Sequence, residues 1–359
     1  MPEKDVLWYQ RAQIHLSCPS AERMWLVSLC AGLAIFQSSL SDSFASLFIA
    51  LSTVLAAVLT EFLFYFRTEK AGMVRDGSSV ASALVLALLL PNNLHPIYAV
   101  MGGVFAMAVV KHSFGGLGSN WMNPAIGGWL FIRCSWPDTF NKALEMSPLA
   151  IVSAGMGQGL LDPSGSPLEI LHLAEAGYFS SPAGSLEWMV QSFLNSRLFS
   201  IIGIELPDGY IEFFNSSGIG IIADRGVFAL LLGTIIITAS QISRSWVPAV
   251  YLGVYGLLIR LFGALPFGGA LGNGDIFFGF FSGGTMVAAF LLIADPATGP
   301  KSNWGALLMA AGAGGLTFIF RYHGLEAYGA FVAVGMINAL VPLMRDMESR
   351  RFYETGSTV

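Results

Sequence analysis

The sequence predicts an all-α polytopic membrane protein of about ten transmembrane helices, built as two inverted five-helix repeats with an outer-side loop domain between them. Three observations carry this prediction. Of the 359 residues 54% are hydrophobic and only 11% charged, and the mean hydropathy is +0.65, which is too apolar for a soluble globule. Apolar runs separated by polar turns recur along the chain. Two of them share a layout: DGSSVASALVLALLLP, from Asp76 to Pro91, and SGGTMVAAFLLIADP, from Ser282 to Pro296. Each opens on small polar residues and glycine and closes on proline, about 205 positions apart, as expected of paired broken helices in a repeated membrane fold.

Residues 1–22 are polar, with Lys4, Arg11 and a Trp8-Tyr9 pair, and lack a signal-peptide core. They are read as a cytoplasmic lead. The first five-helix repeat occupies 23–135, with apolar runs near 24–40, 45–66, 78–90, 97–114 and 122–135. Several are short for a full crossing, which suits tilted or broken helices. Acidic residues dominate 136–225, the one sizeable non-membrane segment, where LEWMVQSFL has the make-up of an amphipathic surface helix, with a re-entrant element as the alternative. The second repeat occupies 226–344, with runs near 226–242, 246–263, 277–294, 304–320 and 327–344, and 345–359 form a charged cytoplasmic tail.

Lys and Arg distribution sets the orientation. With the N-terminus inside, about twelve cations fall on the cytoplasmic side and about six on the other. Both termini are therefore expected in the cytoplasm and the acidic central loop outside. An odd number of spans per half makes the second copy enter the bilayer inverted. A second echo, VVKHSFGGLG around Lys111 and IFRYHGLEAYG around Arg321, fits the same repeat. The 41 glycines suit close helix packing in lipid.

Several chemistries are excluded. Three dispersed cysteines, Cys18, Cys30 and Cys134, make neither a disulfide framework nor a metal cluster, and the five histidines lack metal-ligand spacing. A net charge of -5 argues against nucleic acid as a partner. No phosphate-binding GxxxxGK, no HExxH and no hydrolytic triad is present, so no catalytic residue is assigned. Candidate polar sites remain. Asn120 and Asn123 sit in a glycine turn before Pro124, where they could hold a polar ligand or simply cap the next helix. Asp76, Asp295 and Glu61 are acids at membrane depth or its edge, where carboxylates mark ion pathways. The alternative weighed for each is an interfacial position, for Glu61 beside Arg67.

Four stretches, DGSSVASALVLALLLP, KHSFGGLGSNWMNPAIGGWLF, SGGTMVAAFLLIADPATGPKSNWGALL and AFVAVGMINALVPL, together resemble one family. It is that of the D subunit of the Rnf ion-translocating ferredoxin:NAD oxidoreductase complex and of the B subunit of the sodium-translocating NADH:quinone reductase. The resemblance implies a multi-pass subunit of the bacterial inner membrane that carries flavin and couples electron transfer to sodium or proton movement, alongside the other Rnf subunits. It also implies FMN joined by a phosphoester to a threonine of an SGAT-type motif by a flavin transferase, with a second, non-covalent flavin possible in addition. The flavin supplies the redox chemistry and the protein its position and electrostatics.

This sequence departs from that motif. DPSGSPL, from Asp162 to Leu168, keeps the Asp, the Ser-Gly and the Pro-Leu but presents Ser166 where the threonine would stand. Ser147, in EMSPLA, is the weaker alternative. Both also read as ordinary turn serines. In the redox-driven reading Asp76 and Asp295 are expected on the ion pathway; the same helical plan without flavin would instead make a secondary transporter or a solute channel.

Overall fold

The computed structural model describes residues 20–42, 44–66, 76–114, 116, 120–138, 186–197, 200, 214, 220–240, 244–263, 265, 271–272, 274, 276–323 and 328–356. Among them the regular structure is helical, apart from one isolated bridge between Pro91 and Ile221. Each of the ten expected apolar runs carries a helix.

In the first half these are α1 (Ser20–Ser41), α2 (Ala45–Phe66), α3 (Ser78–Leu89), α4 (Pro96–Phe105) and α5 (Pro124–Ser135). Residues Ala106–His112 prolong α4 as π-helix. Proline starts both α4 and α5, where its missing N–H and fixed φ cost nothing. The preceding side chains cap them: His95 Nδ1 accepts from the Ile97 amide at 3.3 Å, and Asn123 Oδ1 from the Ala125 amide at 2.9 Å. A surface helix, α6 (Leu186–Arg197), covers the LEWMVQSFL stretch and exposes Trp188, Met189 and Phe193.

The second half begins with a four-residue turn, α7 (Ile222–Arg225), followed by α8 (Val227–Ala239) and α9 (Trp246–Phe262). The third run is divided. It forms α10 (Ile276–Phe281), a break at Ser282, Gly283 and Gly284, and α11 (Thr285–Val287), which continues as π-helix over Ala288–Leu292. The last two helices are α12 (Asn303–His323) and α13 (Gly329–Gly356). α13 runs well beyond the apolar end expected near 344, so most of the charged tail continues the helix.

Among the described residues, four helical stretches are long and apolar enough to cross a bilayer: Ala21–Leu40, Ala45–Phe66, Asn303–Tyr322 and Gly329–Arg350. Ser78–Leu89, Pro96–His112, Val227–Ala239 and Trp246–Phe262 are shorter apolar helices. The burial pattern of α2 is that of a helix in lipid. Its outer face carries Phe48, Leu51, Leu55, Leu59 and Phe66, while Ser46, Thr53, Ala57, Thr60 and Glu61 face inward. In water such a face would be a liability; against acyl chains it carries no cost, and small inner residues let backbones approach.

Within the first half α2 packs on α3 and α4, and α3 on α1 and α5. In the second, α12 packs between α9 and α13. The halves meet where α1 crosses α8. There Cys30 Sγ donates to the Gly233 carbonyl at 3.3 Å, and a Cβ on Gly226 would overlap the Ala34 backbone. Close backbone approach at small residues is the packing expected where lipid supplies no hydrophobic driving force between helices.

Candidate functional site

Two helix openings, one in each half, are each held by a buried cation, and the first of these cations, Lys111, also lines the site's cavity. α3 starts from Gly77, whose φ of +74° lies in the left-handed region; a Cβ there would also meet the Trp25 ring at 2.8 Å. Only glycine takes this conformation without strain. Lys111, at the π-helical end of α4, reaches Ser78 Oγ in the first turn of α3 and pairs with Glu61 of α2. Both members of the pair are essentially unexposed, at 1% and 0%. His112 Nε2 lies 3.8 Å from the same carboxylate. Its ring stacks on Phe64 at 4.7 Å. A charge in such surroundings persists only with a close opposite charge and hydrogen bonds.

The second opening repeats the plan. Gly283 and Gly284 both take positive φ, 62° and 64°, and their amides donate to Asp224 Oδ2 and Oδ1 at 3.0 and 2.6 Å. Successive amides turned toward one carboxylate form an anion nest. Arg321 of α12 fills the space beside it. Its guanidinium donates to Tyr255 Oη at 3.0 Å, the Gly279 and Ser282 carbonyls at 2.8 and 2.9 Å, Thr285 Oγ1 at 2.9 Å and Ser282 Oγ at 2.8 Å. Gly284 and Thr285 thus stand to Arg321 as Gly77 and Ser78 stand to Lys111.

A cavity opens between α1, α3, the start of α5, α8 and the end of α11. Its wall is mainly apolar, and Arg23, Ser82, Lys111, Asn120, Asn123 and Asp295 provide the polar lining. Asn123 is structurally committed: besides capping α5, its amide nitrogen donates to Asp295 Oδ2 at 3.2 Å. Asp295 in turn accepts from the Ala297 amide at 3.0 Å and from Thr298 Oγ1 at 3.2 Å. Asn120 differs. It is 3% exposed, and its Oδ1 is buried with no hydrogen-bond partner among the described residues. The same is true of Arg23 Nε. A buried amide oxygen without a partner costs about 1–3 kcal/mol, and a donor-bearing group in the cavity would satisfy it.

Three of the residues singled out in the sequence, Asn120, Asn123 and Asp295, therefore come together. Asp76 does not join them: Oδ1 accepts from the Ser78 amide at 2.8 Å and from Ser78 Oγ at 2.7 Å, a local cap at the start of α3. Ser147, Ser166 and Arg67 lie outside the described residues. Glu61 is not a surface acid but is buried against Lys111, because α4 carries its lysine back toward α2. Arg23 and Asp224 carry no motif of their own in the sequence. A signal exists in the echo between Ala21-Glu22-Arg23 and Ala223-Asp224-Arg225, which opens the first helix of each half.

Residues 9–354 match the NQR2, RnfD, RnfE family. The chain belongs to that family. It is 28% identical over 335 residues to the D subunit of the proton-translocating ferredoxin:NAD(+) oxidoreductase complex of Clostridium ljungdahlii, covering 92% of this chain and 91% of the relative. It is 27% identical to the D subunit of the Na(+)-translocating ferredoxin:NAD(+) oxidoreductase complex of Acetobacterium woodii, over 84% of this chain and 80% of that protein. To the D subunit of the ion-translocating oxidoreductase complex of Escherichia fergusonii it is 29% identical, with 79% of each covered. Nearly equal similarity thus links this chain to relatives named for protons and for sodium.

Proposed function

We propose that this chain is the D-type membrane subunit of an ion-translocating ferredoxin:NAD oxidoreductase complex, and that the cavity at Asn120 holds the ring of a non-covalent flavin. Family membership and the names of the relatives support the first part. The partnerless Asn120 oxygen carries the second. A flavin ring has an imide edge, an N–H flanked by two carbonyls. That N–H would satisfy Asn120 Oδ1, and Arg23 Nε would serve one of the carbonyls. A quinone has no N–H and would leave the amide oxygen unpaired. When bound, the flavin supplies the electron-carrying chemistry. The chain's own residues orient it, and the apolar wall keeps water from the ring.

The family resemblance adds a covalent FMN at Ser166, attached outside by a flavin transferase, with Ser147 as the alternative. The two cation-held helix openings, with the cation 33 residues after Ser78 in one half and 36 after Thr285 in the other, support an inverted repeat of five helices each. The Lys and Arg distribution favours both termini in the bacterial cytoplasm. Asp295, hydrogen-bonded to the cavity's Asn123, stands where flavin redox state and a moving ion could influence one another. Redox change moves an ion only if it biases an element with two arrangements.

One flavin assay tests the cofactor assignments. The assembled complex, made with its own flavin transferase, is denatured, and fluorescence is measured on the chain and in the released fraction. Ser166→Ala is expected to abolish the chain-bound signal, and Asn120→Leu to remove most of the released flavin while sparing the bound one. A dark wild-type chain would end the Ser166 assignment, and an unchanged release in Asn120→Leu would end the cavity assignment. Asp295→Asn, isosteric and uncharged, is expected to lower sodium- or proton-coupled transport in vesicles at least several-fold with flavin content kept. Unchanged transport would remove Asp295 from the coupling.

A further inference from the structure

The segment between α11 and α12, Asp295-Pro296-Ala297-Thr298-Gly299-Pro300-Lys301-Ser302, forms no helix, yet its first three residues are cavity wall. Such a stretch needs partners for its polar backbone. They come from far away in the chain. Arg345 of α13 donates from Nη2 to the Ala297 and Gly299 carbonyls, both at 2.8 Å, and from Nε to Gly299 at 3.2 Å. One turn further on, Glu348 accepts from the Lys301 amide at 3.1 Å, the Ser302 amide at 3.2 Å and also Ser302 Oγ. Arg244, just before α9, holds the Pro300 and Ser302 carbonyls at 3.4 and 3.1 Å from the other side.

The length of α13 gives these contacts a direction. Its 28 residues span about 42 Å, more than the roughly 30 Å of a hydrocarbon core. Arg345, Asp346, Glu348 and Arg350 occupy the polar end, where Asp346 and Arg350 pair with each other at 2.9 Å and are exposed. The projecting end of this helix is therefore the part that grips the loop, and the loop's inner residues meet the cavity. Ala297 joins the two: its carbonyl accepts from Arg345 and its amide donates to Asp295. A rigid chain of charge-assisted hydrogen bonds runs from α13 through Ala297 to Asp295 and Asn123.

We propose that Arg345 and Glu348 are positioning residues for the cavity: through the 295–302 loop they hold the wall formed by Asp295, Pro296 and Ala297 closed over the bound flavin. Neither side chain touches the ligand. Their effect is on how long it stays, since a wall released from α13 lets the flavin and water exchange. The inference rests on the cavity holding a flavin.

The test uses the detergent-purified assembled complex and follows flavin release by fluorescence during dilution, with the released molecule identified as riboflavin or FMN after separation. Arg345→Ala is expected to speed release about tenfold, the scale of one strong hydrogen-bond partner lost. Glu348→Ala should speed it a few-fold, whereas Glu348→Gln, which keeps the oxygen that faces Ser302 and loses the one that faces Lys301, should lie between Glu348→Ala and wild type. Partial rescue by Gln separates positioning from general loss of structure. Should Arg345→Ala fail to assemble, Glu348→Ala, which loosens only the far end of the loop, decides. Wild-type release rates in Glu348→Ala and in any assembled Arg345→Ala complex would overturn the proposal while leaving the flavin reading intact. A wild-type complex whose copy of this chain releases no flavin, on dilution or after denaturation, would overturn both.

Discussion

Arg321→Met is expected to deplete this chain from the assembled complex and to lower its thermal stability more than the changes at Asn120, Asp295, Arg345 or Glu348. The methionine fills much of the same space and loses every donor. Two carbonyls, at Gly279 and Ser282, and the hydroxyls of Ser282, Thr285 and Tyr255 then lose the guanidinium in a site only 3% exposed at Arg321. Asp224, bound to the Gly283 and Gly284 amides, loses its nearby positive charge as well. Leaving a buried acceptor without its donor costs about 1–3 kcal/mol, and the acceptors that lose Arg321 lie mostly at the break between α10 and α11. Arg321→Lys should be intermediate, since one ammonium cannot reach both sides of the opening. Abundance of the chain in purified complex and a melting curve in detergent measure this. Wild-type abundance and melting in Arg321→Met would show that the opening is held by backbone geometry alone.

Glu61→Ala produces the second large effect, for a related reason. Lys111 would remain buried beside Ser78 Oγ but without the carboxylate it now pairs with, a loss of about 3–5 kcal/mol. Removing both charges should be far milder. The double variant Glu61→Leu with Lys111→Met is expected to recover most of the lost stability, because apolar replacement of a buried pair is often close to neutral. Stability measured for the two single variants and the double one forms a cycle that isolates the pair's coupling. Additive losses would mean that Glu61 and Lys111 act independently. The recovered double variant also allows ion transport to be assayed without the stability defect.

The order of amino acids was enough for the lipid-embedded class, the position of each apolar helix and the starts of several. Ser78 and Thr285 after glycine, and Pro124 after Asn123, are local signals, because conformational freedom and capping depend on immediate neighbours. That LEWMVQSFL is helical was legible too. The extension of α13 to Gly356 was not, since the residues past 344 are rich in charge, and the contacts of Arg345 and Glu348 with the 295–302 loop form only in the packed structure.

Which polar groups meet depends on how the helices pack. Lys111 pairs across 50 residues with Glu61, and Asn123 across 172 residues with Asp295. In a soluble helix the apolar stripe identifies the inward face, but in lipid both faces can be apolar, and the outward face of α2 is the richer in Phe and Leu. Periodicity then says little about what lies inside. The pairing is set instead by the cost of a charge or amide away from water, which makes each buried polar group seek whatever partner the packed helices bring within reach. Asn120 Oδ1 is a group for which that packing brings none among the described residues, and only the folded structure puts it on a cavity wall.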